Sequence, residues 1–384
     1  MKQIQRFFDS KIKTSFFLFG PRGVGKSRLL RQEFKKAVHI DLLNEKILLQ
    51  YLSDPERLES LILPLKKGDV VIIDEVQRAP SLLSKVHEIM ESDKFPRVQF
   101  ILTGSSARKL KEKGVDLLAG RAVVKRLFPF MVSELGPQAD FKQCLTFGLI
   151  PLVFASEDPQ STLDSYIGLY LKEEVKQEGL VRNLESFSRF LEVMCFSHAE
   201  LINLSNVARE ASIKRATVDG YMSILEDLLL GYRIPSFKIK NRKQTVSSEK
   251  FYYFDIGVFK SLCPQGLLDN PSQFLGQEIE GFVCQNLMAW ISYRNKNEKL
   301  FFWRTTADTE VDFVIYGPKK FMAVEVKAAK EIKREFLVGL KSFGVDYPLA
   351  EKFFLYMGSE SRTVDGIKCL PIEKFLKSLK HDSI

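Results

Sequence analysis

A glycine-rich loop between an apolar strand and a helix constrains this chain more than any other feature. Residues 16–30 read Phe-Phe-Leu-Phe-Gly-Pro-Arg-Gly-Val-Gly-Lys-Ser-Arg-Leu-Leu. The sequence predicts a strand at 16–19, a loop that opens at Gly20, and a helix that starts at Lys26. This is the complete G-x-x-x-x-G-K-[ST] pattern. Glycines let backbone N–H groups turn inward around phosphate oxygens, and the helix N-terminus favours the same anion.

We therefore predict that the chain binds a nucleoside triphosphate, with ATP and Mg²⁺ as the expected ligands. Lys26 would reach the β and γ phosphates, and the Ser27 hydroxyl would ligate Mg²⁺. The alternative is a glycine-rich strand–turn–helix without a ligand, which the complete motif disfavours. The residues of this loop predicted to contact the nucleotide are Gly20, Pro21, Arg22, Gly23, Val24, Gly25, Lys26, Ser27 and Arg28.

A second element, Asp69-Val-Val-Ile-Ile-Asp-Glu, ends in two acidic residues. Its four β-branched residues are typical of a buried parallel strand, and ligands of open α/β sheets bind at the carboxyl ends of such strands. We expect Asp74 to hold Mg²⁺ through water and Glu75 to polarise the attacking water. The alternative, a helix N-terminus that merely carries acids, is weaker beside the glycine-rich loop.

A third predicted strand, Gln99-Phe-Ile-Leu-Thr-Gly-Ser-Ser, ends in hydroxyl groups. Thr103 or Ser105 would sense the γ-phosphate there, and capping of the following helix is an equally weighted alternative. The stretch 108–126 is strongly basic, and most such charges are solvated. One arginine, for which we select Arg121, would serve the nucleotide of a neighbouring subunit in a homo-oligomer.

Composition narrows the environment in which the chain is expected to work. The chain has 384 residues, a net charge of +9 and five scattered cysteines without a C-x-x-C pair. We read no secretory signal and no apolar run of membrane-spanning length. We therefore expect a cytoplasmic protein with reduced thiols and no membrane partner. The positive charge permits a polyanionic partner without requiring one.

The order of the phosphate loop, Ile-Ile-Asp-Glu-Val-Gln and Leu-Thr-Gly-Ser-Ser resembles the AAA+ superfamily. More narrowly, it resembles bacterial and archaeal ATPases whose C-terminal half is a domain of unknown function with a restriction-endonuclease-like end. The implied fold class is α/β: a P-loop NTPase (AAA+) parallel sheet, then a winged-helix region, then a restriction-endonuclease-like α/β domain. The implied boundaries are an ATPase core at 1–128, a helical lid or linker at 129–180, a winged helix at 181–256 and the nuclease-like domain at 257–384.

Residues 201–227 have the pattern of two short helices joined by a tight turn, which is typical of a helix-turn-helix. A basic, strand-like stretch at 231–250 follows as a candidate wing. DNA contact and a role in protein contact only are equally weighted here. The candidate phosphate contacts are Lys214, Arg215, Lys238, Lys240, Arg242 and Lys243.

The last third contains a second set of chemically interesting residues. Asp312 lies in one predicted strand, and Glu325 and Lys327 lie on one face of the next. Two carboxylates bind Mg²⁺ or Mn²⁺ and activate water, while a lysine stabilises the developing charge. This arrangement resembles the PD-(D/E)XK nuclease fold, which implies Glu280 as the first-helix acid and a further metal ligand. Val311 stands where the proline of that motif usually lies.

Two functions follow from these observations. The first is an ATP-driven enzyme that binds DNA and cuts it in a metal-dependent reaction. The second is a nucleotide-gated switch or interaction protein whose nuclease-like domain only binds nucleic acid or a partner. A metabolic kinase is disfavoured, because the chain invests its length in winged-helix and nuclease-like segments. An intact set of Asp312, Glu325 and Lys327 favours the first function.

Overall fold

A computed structural model describes residues 4–105, 118–136, 139–171, 175, 181, 183–238, 249–263 and 274–380. The chain divides into two compact units. One consists of Phe8–Phe128 and Asp227–Leu229; the other consists of Met1–Phe7, Pro129–Glu226 and Leu230–Ile384. Among the described helices, none combines the length and the apolar character needed to cross a membrane.

The first unit is built on a five-stranded sheet in the order β2-β3-β4-β1-β5, with every neighbouring pair parallel. Its elements in chain order are β1 (Phe16–Phe19), α1 (Lys26–Glu33), β2 (Val38–Asp41), α2 (Glu45–Ser53), α3 (Arg57–Ile62), β3 (Val70–Asp74), α4 (Ser81–Glu91), β4 (Gln99–Gly104) and β5 (Val123–Arg126).

The central strands of this sheet are mostly apolar and almost entirely buried because both faces are covered. All residues of β1 and β4 are buried. Only the first residue of β3 is partly exposed. Such continuous apolar runs are typical of parallel strands that lie between two helical layers. Because the strands are parallel, the polar residues that follow β1, β3 and β4 lie at the same edge of the sheet.

The second unit begins with helices and ends with a mixed sheet. Its helices are α5 (Val132–Leu135), α6 (Phe141–Phe147), α7 (Pro151–Phe154), α8 (Pro159–Ser165), a π-helical segment (Tyr166–Leu171), α9 (Leu184–Cys195), α10 (Leu204–Glu210), α11 (Arg215–Asp227), α12 (Ile256–Leu262), α13 (Leu275–Arg294), α14 (Val338–Asp346) and α15 (Ile372–Ser378). Its strands are β6 (Gly231–Pro235), β7 (Glu249–Tyr253), β8 (Lys299–Arg304), β9 (Glu310–Tyr316), β10 (Phe321–Lys327), β11 (Glu351–Tyr356), β12 (Arg362–Val364) and β13 (Ile367–Pro371).

The six-stranded sheet of this unit has the order β12-β13-β11-β10-β9-β8. Strands β8, β9 and β10 form an antiparallel meander, and β10 pairs in parallel with β11. The two strands predicted to carry Asp312 and Glu325 are therefore neighbours in one sheet.

The predicted wing corresponds to an antiparallel ribbon of β6 and β7 that follows α10 and α11. The chain that leaves β6 does not project freely, because the Phe237 backbone N–H donates to the Phe302 carbonyl oxygen at 2.6 Å. The Phe237 side chain is buried in the core of the six-stranded sheet with Trp303 and Phe343. The ribbon is thus attached to that sheet through Phe237.

A neutral histidine lies in the core of the second unit. His198 is fully buried, its Nδ1 accepts the Tyr253 backbone N–H at 3.1 Å, and its ring stacks on Phe259 with centroids 4.0 Å apart. Burial lowers the pKa of His198 to about 3. The unfolded chain binds a proton at this position near pH 6.5, whereas the folded chain does not.

We predict that acid destabilises the protein through His198. Since the folded pKa lies below the unfolded one, the stabilisation is complete above pH 6.5 and decreases as the pH falls. Between pH 7.5 and 5.5 the free energy of unfolding should fall by about 1.4 kcal/mol through this residue. Urea unfolding of the wild type and His198→Asn at both pH values measures the difference. The same pH dependence in both proteins would contradict the assignment.

Candidate nucleotide-binding site and a buried acidic cluster

The glycine-rich loop has a backbone that only glycine adopts without strain. Gly23 and Gly25 have φ angles of 82° and 89°, in the left-handed region. A Cβ on Gly20 would lie 2.4 Å from the Leu127 carbonyl oxygen, so the loop lies close to the chain that follows β5. Successive residues in such conformations point backbone N–H groups into one concavity, which is an anion-binding arrangement.

Lys26 begins α1 and is buried. Its Nζ donates to the carbonyl oxygens of Gly20 at 2.7 Å and Pro21 at 3.2 Å. The ammonium group is therefore held inside the loop rather than in solvent. Gly25 is the N-cap and has no side chain to satisfy the first N–H groups of the helix, which leaves them for an anion. Ser27 is partly buried, and Arg28 is exposed.

Asp74 ends β3 and is joined to β4 by Thr103. The Thr103 hydroxyl donates to Asp74 Oδ1 and accepts the backbone N–H of Glu75, the latter at 3.1 Å. Both Asp74 and Thr103 are buried. Because β3 and β4 are neighbours, the hydroxyl at the end of one strand reaches the carboxylate at the end of the other. Thr103 thus orients the acidic pair.

Glu75 is held by a residue that sequence reasoning missed. Its backbone has a φ of 58°, and its Oε2 accepts from Gln77 Nε2 at 2.6 Å. The same Nε2 donates to Ser105 Oγ at 3.3 Å. Gln77 is buried. The amide therefore connects the predicted catalytic carboxylate with one of the two predicted γ-phosphate sensors. A polar residue two positions after an acidic pair was the available signal.

Arg121 forms an ion pair with Glu91 of its own unit. Its side chain is about one third exposed. The predicted role of Arg121 toward a neighbouring subunit stays a prediction. Arg121 would have to leave its ion pair with Glu91 to reach a nucleotide of that subunit.

The acidic residues predicted in the last third lie together at the β9–β10 pair. Asp312 Oδ2 accepts the Val326 backbone N–H at 2.8 Å, and Lys327 Nζ lies 2.6 Å from Glu325 Oε1. Asp312 and Glu325 are both buried. Glu280 approaches the same cluster from α13, and its charge acts on that of Glu325. The predicted set is therefore assembled.

A buried lysine from the ribbon occupies the centre of this cluster. Lys250 Nζ lies 3.1 Å from Glu280 Oε1 and 3.9 Å from Asp312 Oδ1, and it also pairs with Glu310. Its side chain is 5% exposed. Tyr252 Oη donates to Glu280 Oε1 at 2.6 Å. The sequence places Lys250 at the end of the candidate basic wing, so its role in the acidic cluster was not predicted.

Electrostatics in the cluster follow from burial and close carboxylates. Burial, together with the charge of Asp312, raises the pKa of Glu280 to about 7 and that of Glu325 well above its ordinary value. Burial disfavours the charged form of Lys250, but the neighbouring carboxylates outweigh it and hold its pKa above the usual value. Lys250 is therefore an ammonium ion at neutral pH.

The cluster does not have the geometry of a metal site as it stands. Within the described residues, no three acidic, histidine or cysteine side chains are arranged to hold one metal ion. The predicted ligands Glu280, Asp312 and Glu325 lie close to one another, but Lys250 takes the oxygens of two of them. One observation favours metal binding: the buried Glu325 Oε2 has no hydrogen-bond partner within the described structure.

The candidate nucleic-acid contacts are partly described. Lys214, Arg215 and Lys238 are exposed, and Arg215 pairs with Asp219 at 3.1 Å. Lys240, Arg242 and Lys243 lie outside the described residues. In α11, the apolar residues Val218, Tyr221, Met222 and Leu225 are all buried.

The sheet and loop of the first unit define a P-loop nucleotide-binding domain. Residues 13–136 match the family model described as an AAA domain. The same residues contain the glycine-rich loop and the parallel five-stranded sheet, so this segment has the fold of a P-loop AAA domain. Two further matches are to domains of unknown function, DUF8612 over residues 138–270 and DUF4143 over residues 275–375.

Individual relatives are distant. The chain is 21% identical over 289 residues to an uncharacterized protein of Haemophilus influenzae, an alignment that covers 67% of this chain and 71% of that protein. Among solved structures, the ORC2 protein of Aeropyrum pernix in its ADP form has 16% identity and a TM-score of 0.32, over 58% of this chain and 81% of that one. The RuvB branch migration motor of Thermotoga maritima has 16% identity and a TM-score of 0.30, over 58% and 82%. These scores are too low to support an argument about function.

We predict that Thr103→Val destabilises the first unit. Valine has nearly the same shape but lacks the hydroxyl that binds Asp74 and the Glu75 N–H. A buried carboxylate that loses a partner costs about 1–3 kcal/mol. Urea unfolding should show a lower midpoint for Thr103→Val and a smaller change for Thr103→Ser, which keeps the hydroxyl. Equal midpoints for Thr103→Val and wild type would contradict this role.

Proposed function

We propose that this protein binds ATP with Mg²⁺ at the glycine-rich loop and hydrolyses it. The observation that carries the proposal is the common edge of the parallel sheet. The loop follows β1, the Asp74–Glu75 pair ends β3, and Thr103 and Ser105 lie at the end of the intervening β4. Carboxyl ends of parallel strands at one edge are where α/β proteins bind and convert ligands.

Each residue at that edge has a chemical role in the proposal. The loop N–H groups and Lys26 bind the phosphates. The oxygen donors of Ser27 and Asp74 suit Mg²⁺, which would neutralise part of the phosphate charge when bound. Glu75 accepts a proton from the attacking water, and Gln77 and Thr103 orient Glu75 for this step. Loop residues Pro21, Arg22, Val24 and Arg28 complete the predicted nucleotide contacts.

For the remainder of the chain we propose a nucleotide-gated module that binds nucleic acid or a partner. Helices α10 and α11 followed by the β6–β7 ribbon have the order of a winged helix. The exposed Lys214, Arg215 and Lys238 are its candidate phosphate contacts, together with Lys240, Arg242 and Lys243. DNA is the polyanion that best suits such a module in a chain of net charge +9. A homo-oligomer with Arg121 acting between subunits is part of this proposal.

Metal-dependent DNA cleavage is the second candidate function. It is favoured by the close approach of Asp312, Glu325 and Lys327 and by the unpartnered Glu325 Oε2. It is opposed by Lys250, whose ammonium takes carboxylate oxygens that Mg²⁺ or Mn²⁺ would need. We rank binding of nucleic acid or a partner without cleavage first, because the Lys250 ammonium already supplies a positive charge inside the acidic cluster.

Paired variants of the first unit test hydrolysis. Lys26→Ala removes the cation that binds the phosphates, and we expect nucleotide binding to be lost. Glu75→Gln keeps the loop intact, so we expect binding to be retained while turnover falls by at least about 10²-fold. Calorimetric titration with ATP and a phosphate-release assay separate the two effects. Equal turnover of Glu75→Gln and wild type would refute the role of Glu75.

Cleavage is tested separately on supercoiled plasmid and branched DNA with Mg²⁺ or Mn²⁺. We expect the wild type to bind DNA in a gel shift but to cut no more than Glu325→Ala, because Lys250 holds the acidic cluster. Cutting by the wild type that Glu325→Ala abolishes would establish the second candidate and reject the first ranking.

A further inference from the structure

We propose that Lys250 is a built-in cation that takes the place of a divalent metal ion in the acidic cluster of the C-terminal sheet. The inference does not depend on ATP hydrolysis at the glycine-rich loop. Its readout is metal binding rather than DNA cleavage, so it can fail separately from the proposed function.

The first support is the position of the ammonium group. Lys250 comes from the β6–β7 ribbon, whereas the three carboxylates around it come from α13 and β9. Its Nζ is 3.1 Å from Glu280 and 3.9 Å from Asp312 and also pairs with Glu310. The Lys250 side chain is 5% exposed and lies among carboxylates from two elements. These groups therefore form a buried ion-pair network rather than a surface contact.

The second support is the use of the carboxylate oxygens. Glu280 Oε1 accepts from both Lys250 and Tyr252, and Asp312 Oδ2 accepts the Val326 backbone N–H at 2.8 Å. A metal ion bound through these same oxygens would have to replace these donors. It would also lie within a few ångströms of an ammonium group in a medium of low dielectric constant, where repulsion between like charges is strong.

The third support is charge balance. Four carboxylates, those of Glu280, Glu310, Asp312 and Glu325, are paired with three cations. Besides Lys250, these cations are Lys327 on Glu325 and Arg304, which lies 3.4 Å from Glu310. With all four carboxylates ionised, the network carries one net negative charge without a metal ion. A divalent ion added to it would leave an excess of positive charge, whereas one added in place of Lys250 would not.

The inference predicts that removal of Lys250 creates a metal site. We expect nucleotide-free wild type to show no saturable Mn²⁺ binding at this cluster. Lys250→Met keeps the unbranched stem but removes the charge. This variant should bind about one Mn²⁺ per chain, at least tenfold more tightly than any Mn²⁺ binding by the wild type at this cluster. Lys250→Arg, which retains a cation, should behave like the wild type. Free Mn²⁺ measured by electron paramagnetic resonance gives the stoichiometry and affinity.

Three controls make the result specific. Lys260→Met removes a lysine of α12 that pairs with Glu278 of α13 outside the cluster, and it should leave Mn²⁺ binding unchanged. Asp312→Asn in the Lys250→Met background should abolish the new site. If Lys250→Met alone fails to fold by circular dichroism, Lys250→Met with Glu310→Gln removes one charge of each sign and keeps Glu280, Asp312 and Glu325.

Two outcomes would overturn the inference. One is a saturable Mn²⁺ site in the wild type that Asp312→Asn removes, because the lysine would then coexist with the ion. The other is the absence of any gain in Mn²⁺ affinity in a folded variant without Lys250, because the lysine would then not occupy the place of the ion.

Discussion

Compensation of buried charge governs both chemically interesting regions of this protein. An ionised side chain removed from water is tolerated only when hydrogen bonds or opposite charges replace its hydration. Lys26 meets this requirement with two loop carbonyl groups, and Asp74 meets it with the Thr103 hydroxyl. Lys250 meets it with three carboxylates. The type of partner differs, and so does the chemistry that each region permits.

Carbonyl and hydroxyl partners leave net charge for a ligand, whereas carboxylate partners cancel it. The Lys26 ammonium lies beside the N-terminus of α1 with carbonyl groups as its hydrogen-bond partners, an arrangement that suits the anionic phosphates of a nucleotide. In the C-terminal sheet, the lysine and the acids satisfy one another. In our proposal, Lys250 of the β6–β7 ribbon occupies the position where these acidic side chains would otherwise bind a metal ion. The fold alone therefore does not determine the activity.

The sequence predicted what local patterns and short motifs encode. Apolar runs bounded by polar residues or glycine predicted the strand at 16–19, the loop through Ser27, and the strands that end at Asp74 and Gly104. The sequence also predicted that Asp312 and Glu325 lie close together, because they belong to two successive predicted strands. Lys250 was missed because its role arises only from tertiary contacts. Gln77 was missed although it follows the acidic pair by two positions, because that local position does not reveal its second contact with Ser105. Lys250 lies 30 residues from Glu280 in sequence, and its alternation within a strand gives no sign of burial among acids.

The central claim is that one region of the chain accepts a nucleotide and its metal ion while the other carries its own cation. A crystal of the full chain with Mn²⁺ and a non-hydrolysable ATP analogue, measured at the manganese absorption edge, tests both halves at once. The account predicts anomalous density beside Ser27 and Asp74 and none in the cluster around Lys250. Manganese bound by Asp312 and Glu325, with Lys250 displaced, would contradict it.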